Sequence, residues 1–178
     1  MKLPFGICSR IVPGVNGLDM HLFEAGDREA PAIILLHGYP ELGYSWMKML
    51  TPLAIAGYRA IAPDLRGYGR TTGWDADYDG DLRQFRILNV TRDVVALVSA
   101  LGIRSVEAVA GHDFGASVAA ICALVRPDIF KRLVLMTPVA GPPTLPYGSG
   151  ARPSRGCADS GGFYPKTEGK SQDFPVFW

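Results

Sequence analysis

Several features that would place a protein outside the ordinary globular enzymes are scarce or missing in this chain. Three cysteines in 178 residues, at positions 8, 122 and 157, are odd in number and too widely spaced for a disulfide framework or a metal site. The formal net charge is only +1, which gives no reason to expect a nucleic-acid partner or an anionic membrane surface. No apolar run reaches the roughly 18 residues that span a bilayer. We therefore expect a cytoplasmic protein with neither a nucleic-acid nor a membrane partner.

Periodicity is missing from the last part of the chain. Seven glycines and six prolines fall among the 38 residues of 141–178, and the apolar residues there are scattered. Such a composition is typical of irregular or disordered segments. We therefore predict two parts: residues 1–140 form a folded core, and residues 141–178 form an irregular Gly/Pro-rich tail.

Residues 1–140 show the alternation that predicts an α/β fold. Apolar runs predict strands at 9–12, 18–24, 32–36, 58–62, 105–110 and 133–136, and helical periodicity predicts helices at 45–56, 84–101 and 115–125. The first two strands are close enough for an antiparallel hairpin. From residue 32 onward strands and helices alternate, which predicts a mostly parallel sheet with right-handed crossovers and helices on both faces.

The most informative motif is Gly111-His112-Asp113-Phe114-Gly115, which follows an apolar strand and opens a helix. This is the pattern of a nucleophile elbow, in which paired glycines let a helix pass close to a strand and expose the residue at the tip. The tip residue here is Asp113 instead of serine. A carboxylate suits displacement at a saturated carbon and would leave an ester on the enzyme. Asp is also a frequent helix N-cap, which is the alternative role for Asp113.

A second motif follows the strand at 32–36, namely the loop His37-Gly38-Tyr39-Pro40. The backbone N–H groups of Tyr39 and Phe114 are candidates for a two-donor oxyanion hole. The alternative is an ordinary turn, in which Gly and Pro are common. Asp64 also follows a strand, and in parallel sheets sites form at the carboxyl ends of strands. We therefore predict one site that joins the 37–40 loop, Asp64 and Asp113.

These stretches resemble the α/β-hydrolase superfamily and, within it, the epoxide hydrolases. The matching segments, in family order, are residues 37–41 (HGYPE), 62–69 (APDLRGYG) and 111–116 (GHDFGA). The resemblance implies that Asp113 opens a small apolar epoxide through an alkyl-enzyme ester. It implies that tyrosines from a cap donate hydrogen bonds and that a histidine then activates water to give a diol. It implies no cofactor and no metal.

The histidine that the resemblance requires has no candidate among the three present. We expect His21 to lie on the surface of the hairpin, His37 to serve as a turn residue of the active-site loop, and His112 to point away from Asp113. In the family the cap, the base and the last strands lie beyond the point where this chain loses its pattern. We therefore expect a truncated chain that is inactive or limited to a single turnover.

Two other functions stay open at this point. A haloalkane or haloacid dehalogenase uses the same Asp chemistry, but Phe114 and Tyr39 stand where halide-binding Trp or Asn side chains are common. A non-enzymatic fragment is the other alternative. The apolar strand at 133–136 would lack a neighbour on one side, which favours pairing with a second copy or another chain.

Overall fold

A six-stranded sheet organises residues 3–137, the part of the chain that the computed structural model describes. The predicted irregular tail at 141–178 lies outside the described residues. The strands are β1 (Ile7–Val15), β2 (Leu18–Ala25), β3 (Ala32–Leu36), β4 (Arg59–Pro63), β5 (Val106–Gly111) and β6 (Leu133–Leu135). The helices are α1 (Met47–Ile55), α2 (Ile87–Ala100) and α3 (Phe114–Val125), with 3-10 turns at Gly43–Trp46 and Leu82–Phe85.

The strand order across the sheet is β1-β2-β4-β3-β5-β6. The β1–β2 hairpin is antiparallel and joins β4 in an antiparallel pairing, whereas β4, β3, β5 and β6 are mutually parallel. The predicted α/β fold with a mostly parallel sheet and an N-terminal antiparallel hairpin is therefore confirmed. None of the helices between residues 3 and 137 has the length and hydropathy needed to cross a membrane.

Strand β3 is buried on both faces, as its unbroken apolar sequence AIILL predicts. Ile34 and Leu36 belong to the core cluster that includes the apolar stripe of α2 and the buried face of α3. Ile33 and Leu35 belong to a second cluster on the other face, which includes Leu50 of α1. Helices therefore cover both faces of the sheet and hold the end of β3 between them.

The predicted helix at 84–101 is wrong at its beginning. Residues Leu82–Phe85 form a separate 3-10 turn, and Arg86 is extended with φ −59° and ψ 140° before α2 starts at Ile87. The turn is capped by Asp81, whose side chain accepts a hydrogen bond from the Arg83 N–H at 2.9 Å. The Phe85 ring packs edge-on against Trp74, at 5.7 Å between centroids, so its place in the apolar periodicity was a coincidence of loop packing.

Candidate active site

The turn between β5 and α3 holds Asp113 in a backbone conformation that residues with a Cβ rarely adopt, with φ 52° and ψ −123°. The neighbouring glycines enforce it by close packing. A Cβ on Gly111 would lie 2.2 Å from the carbonyl oxygen of Gly115, and one on Gly115 would lie 2.4 Å from that of Leu36. Strain of this kind costs about 1–3 kcal/mol and persists only where the surroundings leave no alternative.

The Asp113 carboxylate is exposed and makes no capping hydrogen bond to α3. Its Oδ1 instead accepts a hydrogen bond from the backbone N–H of Tyr39 at 2.9 Å. The backbone N–H groups of Tyr39 and Phe114 and the nearby His112 lower the pKa of Asp113. The N-cap alternative is therefore wrong for the side chain, which is turned toward the loop after β3 and is held ionised there.

The loop after β3 is packed tightly against this carboxylate. A Cβ on Gly38 would lie 2.4 Å from the Asp113 Cβ and 2.7 Å from its Oδ1, so only glycine fits at this position. The Glu41 N–H donates to the Gly38 carbonyl at 3.0 Å and closes the turn, with the exposed Tyr39 and Pro40 at its tip. The loop geometry thus presents the Tyr39 N–H to Asp113.

His37 lies beneath the loop and is fully buried. Its Nε2 accepts a hydrogen bond from the Leu65 N–H at 3.0 Å, which makes Nδ1 the protonated nitrogen that donates to the Gly38 carbonyl at 2.9 Å. Burial lowers the pKa of His37, so the neutral ring is favoured. With both nitrogens engaged, the ring connects the loop after β3 to the loop after β4.

The expectation that His21 is a surface residue is wrong. Its side chain is 2% exposed, and it contacts Asp64 Oδ2 through Nδ1 at 2.8 Å and Ser9 Oγ through Nε2 at 2.7 Å. Strand β2 lies between β1 and β4, and the segment after β4 covers the face on which His21 stands. The polar character of His21 therefore did not indicate that its face of the strand is buried.

Asp64 lies at the end of β4 as predicted, but its carboxylate is committed to buried partners. Besides contacting His21, it accepts hydrogen bonds from the backbone N–H of Gly43 at 2.9 Å and from that of Arg70 at 3.0 Å. These bonds fix the loops around it. Asp64 and Asp113 thus lie at the same edge of the parallel sheet, as predicted, and the Asp64 side chain supports the neighbouring loops.

His112 precedes Asp113 and is half-exposed. Its Nδ1 lies 3.7 Å from Glu41 Oε2, too far for a hydrogen bond but within the range of an ion pair when the ring is protonated. The ring is thus directed toward the loop after β3. Among residues 3–137 no three His, Cys, Asp or Glu side chains cluster in a way that would hold a metal ion.

The turn has one further supporting residue, which the sequence does not reveal. Thr137, which follows β6, accepts a hydrogen bond from the Asp113 backbone N–H at 3.1 Å through its Oγ1. A lone threonine after a short strand carries no sequence signal, and only the pairing of β5 with β6 places it beside Asp113.

Comparisons with known proteins agree with this architecture. Residues 31–152 match the family model described as the alpha/beta hydrolase fold. The chain is 41% identical over 148 residues to Epoxide hydrolase 3 of Siraitia grosvenorii, covering 82% of this chain and 44% of that protein. It is 43% identical over 116 residues to an epoxide hydrolase of Caballeronia sordidicola, covering 65% of this chain and 33% of that protein.

Solved structures give the same result. Potato (Solanum tuberosum) epoxide hydrolase I superposes with a TM-score of 0.65 at 47% identity, covering 72% of this chain and 39% of that one. An epoxide hydrolase from Vigna radiata superposes with a TM-score of 0.66 at 40% identity, covering 73% and 40%. The chain therefore spans less than half the length of each relative named here.

Proposed function

The chain belongs to the alpha/beta hydrolase fold family, and we propose that Asp113 is the nucleophile that opens small apolar epoxides by forming an alkyl-enzyme ester. The observation that carries this proposal is the 2.9 Å hydrogen bond from the Tyr39 backbone N–H to Asp113 Oδ1. It supports a mechanism in which the Tyr39 N–H holds Oδ1 in place while Oδ2 attacks the epoxide carbon. The similarity to epoxide hydrolases supports the choice of substrate.

The first step joins the carboxylate to the substrate. A lone pair of Oδ2 forms a bond to a ring carbon as the bond from that carbon to the epoxide oxygen breaks, and the oxygen keeps the electron pair. That oxygen must then take a proton from an acid or from solvent. The low pKa of Asp113 supports this step because the attacking group stays ionised.

The second step would cleave the ester. Water loses a proton as its oxygen bonds to the ester carbonyl carbon, and the carbonyl oxygen Oδ1 becomes an oxyanion. Collapse breaks the bond from that carbon to Oδ2, which leaves with the substrate, takes a proton and becomes a hydroxyl of the diol, while Asp113 is restored with an oxygen from water. The Tyr39 and Phe114 N–H groups are the proposed oxyanion hole, and Tyr39 already contacts Oδ1 before the reaction. One such donor typically contributes about 3 kcal/mol to the transition state. Neither step requires a metal or a redox cofactor.

Water activation is the part for which this chain offers no histidine. Both ring nitrogens of His21 and of His37 are engaged in buried contacts, and the His112 ring is directed toward Glu41. Positioned proton transfer usually contributes about 10²–10⁴ in rate. We therefore propose that the 178-residue chain forms the ester and releases diol far more slowly, so that the reaction stops near one turnover.

The test is covalent labelling of the full chain with styrene oxide, a small apolar epoxide, followed by intact mass and peptide mapping. We expect one adduct, equal in mass to the epoxide, on the peptide that contains Asp113. Asp113→Ala should remove it, whereas Asp128→Asn, which changes another exposed aspartate, should leave it in place. An adduct that survives in Asp113→Ala would contradict the proposed nucleophile.

The same assay distinguishes the alternatives. Steady diol formation by the wild-type chain would contradict the single-turnover proposal. Halide release from a haloalkane, without any adduct from the epoxide, would instead support dehalogenase chemistry at the same carboxylate. Labelling with neither substrate would favour the non-enzymatic alternative, in which the chain pairs through the 133–136 edge.

A further inference from the structure

A cavity lies at the opposite end of the sheet from Asp113. It has a volume of about 760 Å³ and is lined by the segments that precede β3 and β5 and by the end of α2. Five cationic side chains from separate parts of the chain line it: Arg10, Arg28, Arg59, Arg104 and Lys131. This concentration of positive charge plays no part in the chemistry proposed for Asp113.

One buried carboxylate gathers three of the arginines. Glu24 Oε1 lies 2.7 Å from Arg10 Nε and 3.9 Å from an Arg28 nitrogen, and Oε2 accepts from Arg59 Nη2 at 3.1 Å. Burial opposes ionisation of Glu24, but the hydrogen bonds from Arg10 and Arg59 prevail and lower its pKa. A single negative charge therefore faces three guanidinium groups.

Among these three arginines, Arg59 has a side-chain hydrogen-bond donor that no described residue accepts. It is 5% exposed, and although Nη1 donates to the Arg28 carbonyl at 3.2 Å, its Nε is buried and has no hydrogen-bond partner among residues 3–137. A buried guanidinium donor left unpaired is costly, and native structures contain few of them. The wall of the cavity thus holds a cationic donor for which the described residues supply no acceptor.

The other side of the cavity adds more positive charge. Glu107 is shared by Lys131, at 3.1 Å, and by Arg132, and Arg104 has no ion-pair partner among residues 3–137. The remaining acidic residue in the lining is Glu29, which is exposed. With Arg132, six cationic side chains face three carboxylates, Glu24, Glu29 and Glu107, so positive charge is in excess among the described residues.

The sheet sets the width of this arrangement. Arg59 on β4 is paired with Ala32 on β3, which is paired with Val106 at the start of β5. Two strand spacings of about 4.8 Å place the two sides of the cavity about 10 Å apart. Long arginine and lysine side chains on both sides can therefore reach one small ion between them.

We propose that this cavity is an anion site for a phosphate group, carried by free phosphate or by a small phosphomonoester. The excess positive charge favours a phosphate dianion, whose oxygens accept hydrogen bonds from the forked N–H donors that guanidinium groups present. The cavity lies at the end of the sheet away from Asp113, so binding there leaves the epoxide site open.

The test is calorimetric titration of the full chain with inorganic phosphate, measured against chloride at equal ionic strength. We expect one phosphate per chain, and affinity about tenfold lower in Arg28→Gln and in Arg104→Gln, because each loses charge-assisted hydrogen bonds. Arg83→Gln is the matched control, since Arg83 and Arg28 side chains are both 72% exposed and Arg83 lies outside the cavity.

The outcomes separate cleanly. Unchanged phosphate affinity in Arg83→Gln, with weaker binding in both cavity variants and unaltered unfolding midpoints in chloride, supports the site. Equal affinity in all four proteins would mean that phosphate binds elsewhere, and no binding beyond the effect of ionic strength would mean that the cavity is not an anion site. Either of these results overturns the proposal without bearing on Asp113.

Discussion

Gly38 and Asp113 are in such close contact that the Cβ of an alanine at position 38 would lie 2.4 Å from the Asp113 Cβ. The two residues come from different strand ends, one after β3 and the other after β5. Their contact sets the distance between the carboxylate and the Tyr39 N–H. The proposed nucleophile is therefore positioned by the backbone of a neighbouring loop and not by a side chain.

Gly38→Ala should disable ester formation. The added methyl group must displace Asp113 or the loop, and a misplacement of about 1 Å costs about 10²-fold in rate. Overpacking of this kind also costs about 1–3 kcal/mol of folding free energy. Labelling kinetics with styrene oxide measure the rate, and urea unfolding measures the stability. Ser99→Ala, at an exposed position of α2, is the control. A Gly38→Ala protein that is labelled as fast as this control would contradict the proposed geometry.

Ester formation should resist acid. The pKa of Asp113 is lowered by the Tyr39 and Phe114 N–H groups, so the carboxylate loses its charge only as the pH falls through a value below the usual aspartate pKa of about 3.9. The initial rate of Asp113 labelling should stay level as the pH falls toward that value and drop beneath it. Circular dichroism at each pH checks that the chain is folded. A half-maximal rate above the usual value would contradict this prediction.

Replacing His21 should destabilise the fold although it lies outside the proposed chemistry. His21→Ala removes the partner at 2.8 Å from the buried Asp64 Oδ2, which keeps only the Arg70 N–H, and the expected loss is about 1–3 kcal/mol of unfolding free energy. His112→Ala removes a half-exposed side chain that makes no hydrogen bond among the described residues and should change stability little. Urea unfolding of both variants decides the matter, and equal losses would show that the His21 contact is unimportant.

Asp93 should be among the most costly positions to alter in α2. It is fully buried and accepts hydrogen bonds from Arg66 Nε and Nη2, both at 2.8 Å, and from Asn16 Nδ2 at 2.6 Å. Asp93→Asn leaves the buried Arg66 cation without its counter-ion, and breaking a buried ion pair in this way lowers the free energy of unfolding by about 3–5 kcal/mol. The double variant Arg66→Met, Asp93→Leu removes both charges and should recover part of the loss in thermal unfolding. No recovery would contradict the assigned cause.

Strand β6 should support self-association. It is the last strand of the sheet in the described residues, and its side chains are only half-buried. Arg132 and Met136 direct their backbone groups toward β5, so Leu133 directs its N–H to the open side. We expect sedimentation velocity to detect dimers, and Leu133→Pro to weaken them while circular dichroism stays unchanged. A monomer at all concentrations would contradict pairing through this edge.

The sheet could be predicted because its central strands carry an unambiguous signal. The sequence AIILL of β3 is apolar without alternation, and the βαβ order after it leaves few arrangements. The boundaries of α2 could not be predicted, because Phe85 continued the apolar period while packing in a loop against Trp74. Apolar periodicity indicates which side chains are buried, but it does not show whether a helix or a loop carries them.

Some contacts of the candidate site could likewise be predicted from the sequence, and others could not. The spacing of the glycines around Asp113 and the composition of the 37–40 loop identified the residues that meet, since both motifs depend on the close approach of backbones. The partners of Asp64 and His21, and the contact from Thr137, could not be predicted. Those contacts arise between segments distant in sequence, where polar side chains find each other only after the sheet has formed.

The bond from Tyr39 to Asp113 also bears on how such a chain can change over evolutionary time. Both N–H donors that lower the Asp113 pKa belong to the backbone, so among substitutions at position 39 or 114 only one to proline removes a donor directly. Selection can therefore vary the two side chains to reshape what the site admits while the reactivity of the carboxylate is inherited intact. Substrate preference and nucleophile strength become separately heritable traits.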